Sequence, residues 1–229
     1  MVSTPAKPVD ELSSLLDDVS SSSNELPVTL RFPDEAPLTD ELLEQISQLN
    51  KPLQFERTAD GDLVIIAASS IDSDEICAEL AGQLRNWVRS GAGGVITGSS
   101  GGYVRGDGHV SAPDAAWTSP RRRASMTEDQ RRQTYQPICP DFVIEVRSGS
   151  DTVASQQQKM AAWIAGGTEL GWLVVPEQET VYAFRPGEPV EVVERPDTLS
   201  AEPVCAGLTF TFEYVWDLEP ARDMDKASE

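Results

Sequence analysis

Pro140-Asp141-Phe142-Val143-Ile144-Glu145-Val146-Arg147 is the stretch on which the fold turns. β-Branched and aromatic residues favour an extended backbone, and side chains along it alternate between faces. Phe142, Ile144 and Val146 share one face; Asp141, Val143, Glu145 and Arg147 share the other. Apolar residues on both faces predict a central, covered strand. A carboxylate in its middle is costly to bury unless it is paired or holds a cation. Glu145 is therefore either a functional group or an edge-strand residue in water or salt-bridged to Arg147. Asp141 and Glu145 stand ~13 Å apart along such a strand, too far to share an ion held at ~2.1 Å. A second carboxylate for Glu145 must come from a neighbouring strand.

Upstream, Asp114 sits in Ala112-Pro113-Asp114-Ala115-Ala116-Trp117, another short apolar strand, where turn chemistry after Pro113 is the plainer explanation for it. Downstream, Ser150 is expected to cap a helix over residues 151–165, with Val153, Gln157, Met160 and Ile164 as its inward stripe. Lys159 falls beside that stripe and next to Trp163, so its ammonium either reaches a site or simply snorkels to water. Two carboxylates and a lysine are the set that metal-assisted phosphodiester cleavage needs.

The rest of the chain reads as alternating helices and strands. Thr39 caps a helix over 40–49, and Asp60-Gly61 marks a hairpin leading into a strand over 63–67. Ser73 is expected to cap a longer helix that Gly91 stops, with Ile76, Leu80, Leu84, Trp87 and Val88 at helical spacing. Short strands follow at 95–97, 103–104 and 114–117. An insertion over 118–140 holds one short helix from Thr127, where Gln130 completes a capping box. Strands are expected again at 142–146, 170–175, 181–185, 190–194 and 208–212. The pattern predicts an α/β fold with a mixed central β-sheet flanked by helices. Residues 1–27 and 219–229 read as charged or Ser-rich tails around one domain over 28–218.

Composition narrows the chemistry. Of 229 residues, 39% are hydrophobic, enough for a core, and no apolar run reaches membrane-spanning length. Cys77, Cys139 and Cys205 are odd in number and form no CxxC pattern, and His109 is the single histidine. A disulfide framework and a thiolate or histidine zinc site are thereby excluded, leaving oxygen ligands and hence magnesium or manganese. Free cysteines and no targeting segment point to the cytoplasm. The net charge of −20 opposes phosphate binding, but the acids concentrate at the ends. Residues 1–45 hold ten acids against two bases, and 187–229 eleven against three. Arg121, Arg122, Arg123, Arg131 and Arg132 form the most basic segment, either a phosphate clamp or a solvated loop.

Together the segments Asp60-Gly-Asp-Leu-Val-Ile-Ile, Ser111-Ala-Pro-Asp-Ala-Ala-Trp, Pro140-Asp-Phe-Val-Ile-Glu-Val-Arg-Ser, Lys159-Met160, Gly171-Trp172-Leu173 and Val181-Tyr-Ala-Phe-Arg-Pro-Gly resemble the Uma-two family. That family is a branch of the PD-(D/E)XK nuclease superfamily, and the resemblance covers about residues 30–218. It implies a restriction-endonuclease-like core and Mg2+- or Mn2+-dependent cleavage of DNA. Asp114 matches the first metal-binding aspartate, and Glu145 the acid of the E-x-K half-motif. Where the superfamily pattern has lysine this chain has Arg147, and Lys159 on the next helix takes the lysine's place. Glu79, Asp141 and Arg147 are auxiliary candidates, and Arg121, Arg122 and Arg123 candidate phosphate contacts. The family's relation to restriction enzymes also suggests a homodimer. Arg147, the acidic ends and Val175 in place of an aspartate before Pro176 favour a rival expectation, a catalytically silent module on the same fold. A metal-free hydrolase with paired carboxylates is a third.

Overall fold

In the computed structural model the described residues are 28–50, 53–66, 70–149 and 151–217. They divide into two compact units, one comprising residues up to 68 with 107–111, the other comprising 69–106 and everything from 112 onward. The expected tails over 1–27 and 219–229 lie outside the described residues. Among the described residues no helix is long and apolar enough to cross a membrane.

In the first unit β1 (Val28–Leu30), β2 (Gln54–Arg57), β3 (Leu63–Ile66) and β6 (Val110–Ser111) form antiparallel pairs, β1 with β3, β3 with β2, and β2 with β6. Helix α1 (Asp40–Leu49) is capped by Thr39, whose hydroxyl accepts from the Leu42 N–H, as expected. Leu43 and Ile46, on its inward face, are fully buried along with Leu63 and Ile65. Gly61 adopts a φ of 88° in the β2–β3 turn, a conformation open to glycine and strained for other residues.

The second unit is built on a six-stranded sheet in the order β11-β10-β9-β8-β7-β4. Its strands are β4 (Val95–Gly98), β7 (Ala115–Thr118), β8 (Phe142–Val146), β9 (Leu170–Val175), β10 (Thr180–Phe184) and β11 (Glu191–Glu194). Only β8 and β9 run parallel; the other neighbours are antiparallel. A parallel pair needs a crossover, and α5 (Val153–Ala165) supplies it, lying over β8, β9 and β10. This is the mixed sheet flanked by helices that the sequence predicts, with β8 in its interior.

The two faces of β8 carry two cores. Phe142, Ile144 and Val146 pack with Trp172, Phe210 and Phe212 and with the inner face of α2 (Ile71–Trp87). On that side lie also the hairpin of β12 (Thr198–Ser200) and β13 (Thr209–Thr211) and the short α6 (Glu213–Trp216). Val143, on the other face, packs with Met160, Trp163, Leu173 and Val175.

Several local expectations need correction. The cap of α2 is Ser70, three residues before Ser73, because the Ser70 hydroxyl accepts the Ser73 N–H. Helix α5 is capped by Thr152, whose hydroxyl accepts the Ser155 N–H, while Ser150 lies outside the described residues. Met160 and Trp163 are its buried residues, so the inward stripe is rotated toward Trp163. The 118–140 insertion holds two short helices, α3 (Pro120–Ala124) and α4 (Glu128–Arg132). The Thr127–Gln130 capping box is present at the start of α4. Short β5 (Tyr103–Val104) bridges from Tyr103 to Gln136 at the insertion's end.

Candidate active site

Glu145 is 2% exposed, in the middle of β8 and on the face covered by α5. Its carboxylate has specific partners there. The Trp163 indole N–H donates to Oε1 at 2.8 Å. Lys159 Nζ lies 3.2 Å from Oε1 and donates to Oε2 at 3.3 Å. Lys159 and Trp163 are four residues apart on α5, so one helical turn aims both at the same acid. The β8-α5-β9 crossover sets that turn above Glu145. The alternative pairing, Glu145 with Arg147, is not what forms. Arg147 Nε donates to the Asp151 carbonyl at 2.9 Å, and its guanidinium also pairs with Glu177.

Asp114 immediately precedes β7. The β7–β8 register pairs Ala115 with Ile144 and Ala116 with Val143. One step further along that register sets Asp114 across from Glu145, on the same face, where opposed Cβ atoms stand roughly 5 Å apart. The Asp114 Oδ2 accepts the Val146 N–H at 2.7 Å, which ties the half-buried carboxylate to the end of β8. Asp114, Glu145 and Lys159 are therefore drawn to one region by one strand pair and one helix. Their charges are felt on α2. Burial pushes the Cys77 thiol well above its ordinary pKa, and the charges of Asp114, Asp74 and Glu145 push it further.

The remaining candidates lie elsewhere. Asp141 is buried, accepts from the Ser119 N–H at 2.7 Å and the Ser119 hydroxyl at 3.0 Å, and forms an ion pair with Arg122, whose Nε lies 3.1 Å away. It anchors the start of α3. Glu79 accepts from Gln83 on its own helix, and Gln83 in turn bridges to the backbone of Thr211. Arg121 and Arg122 both reach Glu169, and Arg122 also donates to the carbonyls of Cys139 and Gly167. These two arginines hold the sheet's edge loops together. Arg123, by contrast, has no carboxylate partner among the described residues and lines a cavity with Tyr103 and Met126. Trp163 escaped the sequence reading as a site residue. Its place four residues after Lys159 was the available signal.

Among the described residues no group of three or more His, Cys, Asp or Glu side chains could enclose a metal ion. A magnesium ion is commonly held by one or two carboxylates, with water and substrate phosphate completing its shell. Glu145 already meets Trp163 and Lys159, and Asp114 the Val146 N–H, so a cation would share these carboxylates with those donors. The pair Asp114 and Glu145 fits that requirement.

No curated protein matches the sequence. Among solved structures, the fold is similar to that of a putative nuclease belonging to DUF820 from Anabaena variabilis ATCC 29413. The TM-score is 0.64 at 20% identity, over 76% of this chain and 96% of that one. A family model matches residues 39–213, which include the whole Asp114, Glu145 and Lys159 region. The chain thus belongs to the Uma2 family, described as putative restriction endonuclease.

Proposed function

We propose that this protein is a divalent-cation-dependent endonuclease that hydrolyses phosphodiester bonds in DNA. The observation that carries the reading is the convergence on Glu145 of Lys159 and Trp163 from one helical turn, with Asp114 opposite on the neighbouring strand. Nothing in core packing requires an acid at the centre of a covered strand.

Asp114 and Glu145 would hold the cation, Mg2+ or Mn2+, which when bound supplies Lewis acidity toward a phosphoryl oxygen. The chain's own groups do the rest. The Lys159 ammonium carries the positive charge that offsets negative charge building on the phosphate. Trp163, fully buried, keeps bulk water from one side of Glu145 and fixes its Oε1. Arg147, which stands at the superfamily's usual lysine position, is fastened to Asp151 and Glu177 and takes no part at Glu145.

The test is nicking and cleavage of supercoiled plasmid and of single-stranded DNA in magnesium or manganese, at low and moderate salt. Cleavage lost in both Glu145→Ala and Lys159→Ala, with folding intact, supports the reading. Retention in chelator would instead favour a metal-free hydrolase. Sizing the protein alone and with DNA tests the homodimer that cutting both strands would suit.

A second reading, a catalytically silent module on this fold, is favoured by the tethering of Arg147 away from Glu145 and by the −20 net charge. It expects no carboxylate-dependent binding of Mg2+ or Mn2+. A calorimetric signal abolished by Glu145→Ala sinks it.

A further inference from the structure

A cavity of about 200 Å³ opens in the second unit between β4, β7 and the 118–140 insertion. Its walls are chiefly apolar, from Val95, Met126, Ile138 and the Tyr103 ring. Polar side chains interrupt them. The Tyr103 and Thr97 hydroxyls are hydrogen-bonded to each other at 2.8 Å. Arg123 is partly buried and has no carboxylate partner among the described residues, unlike its neighbours Arg121 and Arg122. Its charge is felt at the Tyr103 hydroxyl, which places the guanidinium near the cavity. Thr118, Thr134 and Gln136 add further polar side chains to the lining.

These features select a ligand. An isolated phosphate would match Arg123 and leave the apolar walls empty. A hydrocarbon would fill the walls and leave an arginine unmatched. A flat ring joined to an anion answers both. Position adds the rest. Thr97 pairs with Ala116 in the β4–β7 register, and Thr118, Ala116 and Asp114 share one face. The cavity wall at Thr97 therefore lies about two residues, ~7 Å, from Asp114 as measured along the strand direction.

We propose that this cavity takes one nucleotide unit of a bound nucleic-acid strand, its base turned out of the stack into the cavity and its phosphate against Arg123. The inference rests on the nuclease reading for the strand's presence, but it concerns binding, and binding is measured without cleavage. Fluorescence anisotropy of a single-stranded oligodeoxynucleotide in chelator supplies the base measurement. The same oligonucleotide is then made with an abasic site at each successive position.

Loss of one base at one position is expected to weaken binding about tenfold, and losses elsewhere much less. Arg123→Gln should weaken the intact strand by a similar factor. Met126→Trp, which fills the cavity, should abolish the position dependence, and Arg123→Gln remains as a test if that variant folds poorly. Binding that is equally sensitive at every position, unchanged in Arg123→Gln, or absent for every oligonucleotide overturns the proposal. Free dAMP binding as tightly as the oligonucleotide, and equally dependent on Arg123, overturns the strand assignment in favour of a free nucleotide. Position-dependent binding with no cleavage in magnesium or manganese leaves the cavity assignment standing and overturns the nuclease reading alone.

Discussion

Asp141 immediately precedes β8 and Glu145 lies within it, on the same face by alternation, and each is 2% exposed, yet their surroundings assign them different work. Asp141 is saturated by its neighbours: a backbone N–H and a hydroxyl from Ser119, and the Arg122 guanidinium. Those partners are themselves fixed, since Ser119 caps α3 and Arg122 also grips Glu169 and two carbonyls. Glu145 has a partly exposed ammonium and one indole N–H, and another carboxylate across from it. A buried acid answered by rigid donors is a structural joint. One answered by a lysine that touches solvent, with a second acid alongside, is poised to exchange partners.

The largest effects should separate the two acids. Glu145→Gln is expected to lower cleavage about a thousandfold or more in a plasmid assay while leaving the folded state in place. Asp141→Ala should strip the buried Ser119 N–H and hydroxyl of their acceptor and cost about 3 kcal/mol in urea denaturation, with cleavage per folded molecule little changed. If both substitutions remove activity without loss of stability, the distinction drawn between the acids fails.

Lys159→Met sharpens the comparison next, with about a hundredfold loss of turnover expected and a smaller change in substrate affinity. Trp163→Phe keeps the ring and removes the donor. Loss of a hydrogen bond to a charged group should cost about 1.5 kcal/mol of stability and about tenfold in rate. An unchanged rate would reduce Trp163 to packing.

The smallest effect uses two thiols as reporters. Cys77 is raised by burial and then by Asp114, Asp74 and Glu145, whereas Cys205 is raised by burial and then by Asp141, Glu202 and Glu169. Alkylation of half-buried Cys77 by iodoacetamide across pH 8 to 10 should quicken in Asp114→Asn, with fully buried Cys205 unreactive in the folded protein as the internal control, read by mass spectrometry. Both thiols hold their protons more tightly folded than unfolded. Their contribution to stability is therefore full below the unfolded thiol pKa of ~8.5 and declines as pH rises above it.

How much of this was legible beforehand differs by residue. The limits of β8 and β9 follow from apolar runs, and those strands lie where the sequence puts them. The Thr127–Gln130 box is likewise readable, because its chemistry is local. The caps of α2 and α5 were misplaced because Ser70, Ser73, Thr152 and their neighbours are all competent caps, and tertiary packing chooses among them. For the candidate site, Asp114, Glu145 and Lys159 were singled out, but their juxtaposition depends on strand order and register. Neither is written in periodicity. Arginine run 121–123 looked uniform in sequence, and only the fold separates two residues engaged with Asp141 and Glu169 from Arg123.

Residues 107–111 return to the first unit between two stretches of the second. Arg57 donates to the Gly108 carbonyl and is the strand partner of Val110, while Glu56 faces His109. The first unit is thus assembled from two separate passages of the gene. No single recombination event can add or remove it whole, and a truncation starting at residue 69 would leave β6 stranded without β2. Inheritance of the two units is tied by that short return, whatever each contributes on its own.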